Sequence, residues 1–296
     1  MSAAAEAEAR PLSRWQQLQP KHFFFDTWKR MDEEARVARE RRREQGLGWD
    51  YRPMVALVTG AVCLILMEYW GMDTGMNRAL DWTGDHMAGG QEWLLGVHMS
   101  HYYRLMHNGW WALWRVIGFL LIPALMVKLT RQKIRDQGLS TKGFWEHAWI
   151  YGLAFLVVLG CVVIVSFEDS FQRYYPFYSQ SGRSYSDLLF WELLYACQFF
   201  SLEYFFRGYL LTQLRDSMGS HAIFAMVVPY VMIHFGKPMP ETFAAILAGI
   251  FLGTLSMKTR SIWAGFLIHV SVAVSMDVAA LVQTHALPHT LWPVFT

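Results

Sequence analysis

Two charged side chains interrupt the apolar run 188–214, in the stretch Phe200-Ser201-Leu202-Glu203-Tyr204-Phe205-Phe206-Arg207-Gly208. If this run crosses a bilayer, each charge costs roughly 3 kcal/mol unless it is paired or lines a wet cavity. Glu203 and Arg207 are four residues apart, so they share one face of a helix and can pair. Glu192 lies on nearly the same face about three turns earlier. The stretch therefore indicates a functional site, with a structural ion pair that locks helices together as the alternative.

The composition and the lengths of the apolar runs indicate a membrane protein. The 296-residue chain is 54% hydrophobic and 16% aromatic, which is more apolar than an ordinary soluble domain. Apolar runs that approach the length of a membrane span cover residues 54–69, 110–129, 148–167, 187–214, 221–234, 241–256 and 262–283. The predicted fold class is all-α: a polytopic membrane protein with about seven transmembrane helices around a polar intramembrane cavity.

The distribution of basic residues predicts a multi-pass protein of the cell inner (plasma) membrane with a cytoplasmic N-terminus. With these spans, 19 of the 26 Lys and Arg residues fall on the N-terminal side and five on the other. Lys and Arg concentrate on the cytoplasmic side of membrane proteins. The small positive net charge of +2 is thus a topology signal and does not indicate a nucleic-acid partner.

The same reasoning divides the chain into four regions. Residues 1–50 form a cytoplasmic N-terminal helical region, 51–135 two transmembrane helices with an external loop, 136–283 the functional transmembrane core, and 284–296 a C-terminal tail. In the first region, residues 26–45 are predicted to form a helix that either lies on the membrane surface or is solvated without a partner. The loop 167–187 either covers a site from outside or is a wet connector.

Metal-ligand patterns outside the core are weak. His98 and His101 are three residues apart, a spacing that suits a metal, but no third ligand or carboxylate accompanies them. The cysteines Cys63, Cys161 and Cys197 lie in predicted spans without metal spacing, which is typical of small apolar residues.

Three polar positions recur in the core: Glu203 with Arg207, then His234, then His269. A buried acid, an arginine and two histidines on neighbouring helices favour a functional site over satisfied core histidines. A carboxylate and an imidazole that share a water can direct it at a carbonyl, and a second imidazole can donate to the oxyanion. Alternatively, Glu203, His234 and His269 are ligands of a divalent metal such as zinc, with one open position.

The motifs around these positions resemble those of the CPBP (ABI) family. They are Glu-x-x-x-Arg-Gly at 203–208, Tyr-x-x-x-His at 230–234, and Ser-Ile-Trp at 261–263 before His269. Gln137-Gly138-Leu139 is similar to the segment with which this core often begins. The family contains CAAX prenyl endoproteases and many bacterial membrane proteins identified as intramembrane metalloproteases. The resemblance implies a conical polar cavity and a peptidase usually described as glutamate-dependent.

Carried over to this sequence, the resemblance implies a hydrolase that acts on a membrane-associated peptide or protein, including a prenylated one, in the lipid bilayer. Glu203 and His234 are then expected to activate water, and His269 to stabilise the oxyanion. Arg207 is expected to anchor Glu203 or the terminus of the substrate.

The sequence departs from the family pattern at three positions. Leu202 stands where the family has the first of two glutamates, to which the water-activating role is generally given. Ala273 stands where Asn or Asp usually follows the last histidine, and Tyr230 replaces the usual Phe. Asp277 or Ser271 is a candidate for the missing polar group. The departures predict weak or lost proteolysis, so the alternative is an inactive CPBP-type scaffold that binds a peptide, lipid or partner protein in the same cavity.

Overall fold

The computed structural model describes residues 13–295, and of Lys142 and Gly143 the backbone alone. Within that range the chain is helical and has no β-strand; one isolated bridge joins Leu139 and Ser261. The α-helices are α1 Arg14–Leu18, α2 Asp26–Glu44, α3 Arg52–Trp70, α4 Asp73–His86, α5 Gly90–His98, α6 Tyr103–Val116, α7 Ile122–Leu129, α8 Lys142–Val165, α9 Asp169–Tyr174, α10 Tyr185–Glu203, α11 Leu211–Met218, α12 His221–Met232, α13 Met239–Thr259 and α14 Trp263–Gln283. Short π-helical segments precede α2, join α6 to α7 and join α10 to α11.

Among residues 13–295, five helices are long and apolar enough to cross a membrane: Arg52–Trp70, Tyr103–Leu129, Phe144–Val165, Met239–Thr259 and Trp263–Gln283. The all-α, polytopic class is therefore confirmed, whereas the number of seven spans is not. The predicted span 187–214 lies in the continuous helix α10–α11, which carries several charges. The predicted span 221–234 is the shorter helix α12, whose 12 residues extend about 18 Å, less than the thickness of a bilayer core.

The continuous helix α10–α11 runs through the centre of the protein. Its middle turns, Tyr204–Leu210, are π-helical, and every residue from Ser201 to Leu211 is buried. A helix that is buried on all sides must be surrounded by other helices. Here the phenylalanine and tyrosine rings of the π-helical segment form the main core with Phe119 of the α6–α7 helix and Tyr230 of α12.

Gly208, on the π-helical segment, receives the backbone of the 136–139 segment. A Cβ at Gly208 would come 2.5 Å from the carbonyl oxygen of Gln137, so only glycine allows this approach. The segment also accepts a hydrogen bond from the Ile262 amide at the Gly138 carbonyl (2.9 Å). These contacts attach the segment to the beginning of α14.

The N-terminal helix is present at Asp26–Glu44 and packs on the ends of α11 and α13. The Trp28 indole donates to Thr254 Oγ1 (3.0 Å), and the Asp32 carboxylate accepts from the Ser220 amide (2.7 Å). The interpretation as a solvated helix without a partner is therefore wrong, and Phe23 is buried in the protein (2% exposed) instead of lying free at a membrane surface. Residues 1–12 of the predicted N-terminal region lie outside the described residues. The side of the bundle that carries α2 is called the N-terminal face below.

The loop between α8 and α10 is docked on the opposite face. The Tyr175 hydroxyl donates to Glu241 on α13 (3.1 Å), and the Phe177 amide donates to Asp277 on α14 (3.1 Å). The Phe177 ring stacks on Trp191 of α10, with 5.5 Å between ring centroids. The loop is therefore docked on the helices and is not a wet connector; that it covers a site from outside stays a prediction.

Candidate functional site

Glu203 and Arg207 form an ion pair in the centre of the protein. Arg207 NH1 lies 3.0 Å from Glu203 Oε1, and the two side chains are 0% and 1% exposed. The predicted pairing is thereby confirmed. The two side chains pair because a single buried charge would lose its hydration with no compensating partner.

His269 approaches the same carboxylate oxygen from α14. Its Nδ1 lies 2.8 Å from Glu203 Oε1, and its side chain is 17% exposed. The imidazole stacks face to face on Phe199, with 5.4 Å between ring centroids. Gly265, one turn earlier on α14, makes the approach possible, because a Cβ there would overlap Glu203 Oε2. The glycine of the Ser-Ile-Trp-Ala-Gly motif thus leaves room for the carboxylate.

Tyr230 of α12 connects the two basic partners of Glu203. Its hydroxyl lies 3.0 Å from His269 Nε2, and the Arg207 guanidinium lies over its ring, 4.1 Å from the centroid. A guanidinium over a tyrosine ring is attracted by the electrons of the ring face. The sequence reasoning missed this role, since it regarded the tyrosine as a mild replacement of phenylalanine. The available signal was the hydroxyl itself, four residues from His234 and therefore on its helical face.

His234 begins the turn after α12, and its ring is oriented by the backbone. Its Nδ1 lies 2.8 Å from the Tyr230 carbonyl oxygen, and the two rings meet edge to face at 4.8 Å. A carbonyl oxygen only accepts hydrogen bonds, so Nδ1 carries the proton and Nε2 presents a lone pair. The side chain is half-buried. Within residues 13–295, the direct polar partner of the His234 imidazole is this carbonyl. The Tyr230 ring contacts the imidazole on one side and the Arg207 guanidinium on another.

The metal set predicted from Glu203, His234 and His269 is not assembled. Within the described part of the chain, no group of three or more His, Cys, Asp or Glu side chains is arranged to hold a metal ion. Glu203 Oε1 faces Arg207 and His269 Nδ1, and His234 is turned to the backbone of Tyr230. These donors do not fit the tetrahedral arrangement that zinc requires.

The positions at which the sequence departs from the family pattern are packed in apolar surroundings. Leu202 is buried in the main core, 6% exposed. Ala273, 5% exposed, lies in a cluster of aromatic side chains formed by Tyr178, Trp191 and Tyr195.

Asp277 and Glu192 belong to a second polar group, near the docked loop. The Asp277 carboxylate is buried and accepts from the Trp191 indole (2.8 Å) and the Phe177 amide (3.1 Å). Both oxygens of Glu192 are buried, with no hydrogen-bond partner among the residues described. Asp277 therefore does not replace the polar group missing at Ala273, and Glu192 does not join Glu203.

A small cavity lies between Arg207 and the N-terminal face. Its volume is about 20 Å³, and Gly138, Arg207, Arg215, Arg260 and Ile262 are among its lining residues. This volume holds about one water molecule. Arg207 thus lines this cavity and also contacts Glu203 and Tyr230.

A known protein family matches the part of the chain that contains this site. Residues 183–275 match the model of a family described as Rce1-like: Type II CAAX prenyl endopeptidase Rce1-like. This region is an Rce1-like domain of the CPBP family. No curated protein and no solved structure matches the chain.

The Rce1-like domain extends from just before α10 into α14 and includes Glu203, Arg207, His234 and His269. The resemblance deduced from the three motifs is thereby confirmed. Together with the candidate spans, this match supports a multi-pass membrane protein that contains a CAAX-protease-type domain.

Proposed function

We propose that the protein is an intramembrane endopeptidase that hydrolyses a peptide bond in a membrane-associated or prenylated substrate. The observation that carries the proposal is the pair of partly exposed imidazoles, His234 and His269, on either side of Tyr230. Behind them, the buried Glu203 and Arg207 compensate each other's charge. The imidazoles are partly exposed and can reach a substrate, whereas the two carboxylate oxygens of Glu203 and the guanidinium nitrogens of Arg207 are all buried.

In this mechanism, His234 is the general base. Its Nε2 lone pair accepts a proton from water, and the water oxygen forms a bond to the carbonyl carbon of the substrate. Negative charge develops on the carbonyl oxygen, on the side of His269 and Tyr230. The C–N bond then breaks, and the proton held by His234 passes to the leaving amine.

Glu203 acts through His269 in this scheme. Its side chain is 1% exposed and one of its oxygens faces both Arg207 and His269, so it is poorly placed to hold a reacting water. The carboxylate instead lies 2.8 Å from Nδ1 and keeps the imidazole in one orientation. Glu203 is thus a positioning residue, and of the two roles expected for Arg207, the anchoring of Glu203 is the one that its burial supports.

We further propose that the N-terminal face is cytoplasmic and that the protein lies in the inner membrane. The excess of Lys and Arg on the side of the N-terminus supports this orientation.

The second candidate function is a non-catalytic scaffold that binds a peptide, lipid or partner protein in the same place. Leu202 and Ala273 favour it, because both are apolar and closely packed where the family has polar residues. The two functions differ in whether a bound peptide is cleaved.

The experiment compares purified protein in lipid nanodiscs with its His234→Ala and His269→Ala variants. A library of farnesylated and unmodified membrane peptides is the substrate, and mass spectrometry detects the products. His221→Ala is the matched control, because His221 is an exposed histidine at the other end of α12.

We expect the wild type and His221→Ala to cleave a prenylated peptide. His234→Ala should lose at least about a hundredfold in rate, the contribution of a general base. A chelator should leave turnover unchanged. Peptides that bind without cleavage would favour the scaffold, and wild-type turnover in His234→Ala would refute the assigned base.

A further inference from the structure

We infer that the Tyr230 hydroxyl is a catalytic donor that stabilises the oxyanion of the substrate. The inference rests on the proposed peptidase function and adds to it a residue that the resemblance did not suggest. This donor is the tyrosine of the second motif, Tyr-x-x-x-His at 230–234. It does not lie on the face of α14 that carries Ala273.

The first argument is the fixed position of the tyrosine ring. Tyr230 is 1% exposed, and its ring is held between the Arg207 guanidinium (4.1 Å), the edge of Phe206 (5.3 Å between centroids) and His234 (4.8 Å). The hydroxyl therefore points to one place, beside the partly exposed ring of His269. Donors that are fixed before the reaction stabilise developing charge most effectively, because nothing has to reorganise.

The second argument is the direction of the hydrogen bonds. The Glu203 carboxylate has no proton to donate and lies 2.8 Å from His269 Nδ1, so the nitrogen that faces it is the one that carries a proton. In the imidazolium form, Nε2 donates to the phenolic oxygen of Tyr230, which leaves the phenolic O–H free to donate to the carbonyl oxygen. No proton leaves Tyr230 in this step: the proton of the water passes to His234 and from there to the amine.

The third argument is that two basic side chains contact the phenol of Tyr230. Arg207 and His269 both lie against Tyr230, one at its ring and one at its oxygen. Hydrogen bonds in a chain polarise one another, and a cationic donor strengthens the next bond. A phenol that accepts from an imidazolium is therefore a stronger donor to an oxyanion than an isolated phenol.

The other positions near His269 offer no such donor. Ala273 is enclosed by Tyr178, Trp191 and Tyr195, and Asp277 is occupied by two donors of its own. Within residues 13–295, the side-chain hydroxyl in hydrogen-bond contact with His269 is that of Tyr230. Tyr230, which stands where the family usually has Phe, thus supplies beside His269 a polar group that Ala273 cannot supply.

The test is Tyr230→Phe, which removes one oxygen atom and keeps the ring. Tyr204→Phe is the matched control, because the Tyr204 hydroxyl is buried without a hydrogen-bond partner among the described residues. Wild type and both variants are compared in nanodiscs for kcat and KM with a cleaved prenylated peptide. The affinity for a phosphonate analogue of that peptide, whose tetrahedral anion imitates the oxyanion, is measured on the same samples.

We expect Tyr230→Phe to lower kcat about a hundredfold with KM unchanged, and to weaken phosphonate binding by a similar factor. Tyr204→Phe should leave all three values unchanged. Wild-type kcat in Tyr230→Phe overturns the inference while the proposed function stands. A lower kcat with unchanged phosphonate affinity also overturns it, since Tyr230 would then only position His269.

Two further results are decisive. A wild-type protein that cleaves none of the peptides overturns the proposed function and this inference with it. If Tyr230→Phe melts well below the wild type, 3-fluorotyrosine at position 230 replaces it, because this residue keeps the hydroxyl but donates more strongly. A changed kcat at constant KM then supports the donor, and an unchanged kcat overturns it.

Discussion

Two buried polar groups lie along α10 and α14, and they differ in what surrounds them. In the centre of the protein, the Glu203 carboxylate contacts Arg207 and His269, and part of the imidazole remains accessible. Near the face opposite the N-terminal face, the Asp277 carboxylate accepts from the Trp191 indole and the Phe177 amide beneath a docked loop. Glu203 and Asp277 are both acidic residues in apolar helices, so the sequence pattern alone does not distinguish them.

The difference shows which buried carboxylate is free to take part in chemistry. Asp277 has neutral donors that fix one loop conformation, and aromatic rings cover it, so its role is structural. Glu203 is balanced by the charge of Arg207, and its other partner, His269, reaches towards the accessible side. A buried acid thus indicates a site only when a partner that can exchange protons extends from it to where substrate can arrive.

The largest expected effect comes from removing one charge of the central pair. Glu203→Ala leaves Arg207 buried without its counter-charge and should lower the free energy of unfolding by about 3–5 kcal/mol. In the double variant Glu203→Leu, Arg207→Met, apolar side chains replace both charges and should recover most of that loss, without activity. Denaturation of the detergent-purified proteins measures both. A double variant as unstable as the single one would show that the pair is not the reason for the loss.

A smaller effect is expected where α14 makes room for the carboxylate. Gly265→Ala forces a methyl group against Glu203 Oε2 and should destabilise the protein by about 2–3 kcal/mol, as overpacking does. It should also displace His269 and lower turnover. Gly152→Ala is the control, because a Cβ at Gly152 has open space around it. Equal melting temperatures for the two variants would contradict the close approach.

The second polar group should respond more mildly. Asp277→Asn keeps an oxygen acceptor but weakens the bonds from Trp191 and Phe177, which should cost about 1–2 kcal/mol. Because this group only holds the loop, activity at a temperature where the variant is folded should match the wild type. Loss of activity in a fully folded Asp277→Asn would instead place Asp277 in the site.

The smallest effect concerns an ion pair outside the membrane helices. Burial raises the pKa of Asp50, but the hydrogen bonds and charge of Arg52, with a bond from Ser217, lower it to about 2. The pKa is lower in the folded than in the unfolded protein, so the pair stabilises the fold above about pH 4. That contribution, roughly 1 kcal/mol, is lost as the pH falls through 2.

The comparison of wild type with Asp50→Asn measures this contribution. The wild type should melt at the higher temperature at pH 6, and the difference should disappear near pH 2. A difference that stays constant over this range would show that the carboxylate charge has no part in it.

Much of the site was predictable because it depends on local spacing and on the cost of burying charge. The pair Glu203–Arg207 follows from four residues of separation in an apolar helix, and the helix 26–45 from its strong helix formers. The number of spans was less predictable, since α12 is short and α10–α11 is shielded by its neighbours. Helices buried by protein need not satisfy the length and composition that lipid imposes.

The sequence by itself determined that this is a helical membrane protein with charge inside the membrane and with the three motifs of the Rce1-like domain. The tertiary structure alone decided which of those polar groups meet. It placed His269 against Glu203 through the open space at Gly265, put the Tyr230 hydroxyl on the other imidazole nitrogen, and turned His234 away from a shared metal site. The physical reason is that local spacing fixes which residues share a helix face, whereas contacts between helices depend on how closely their backbones approach and on which partners compensate a buried charge.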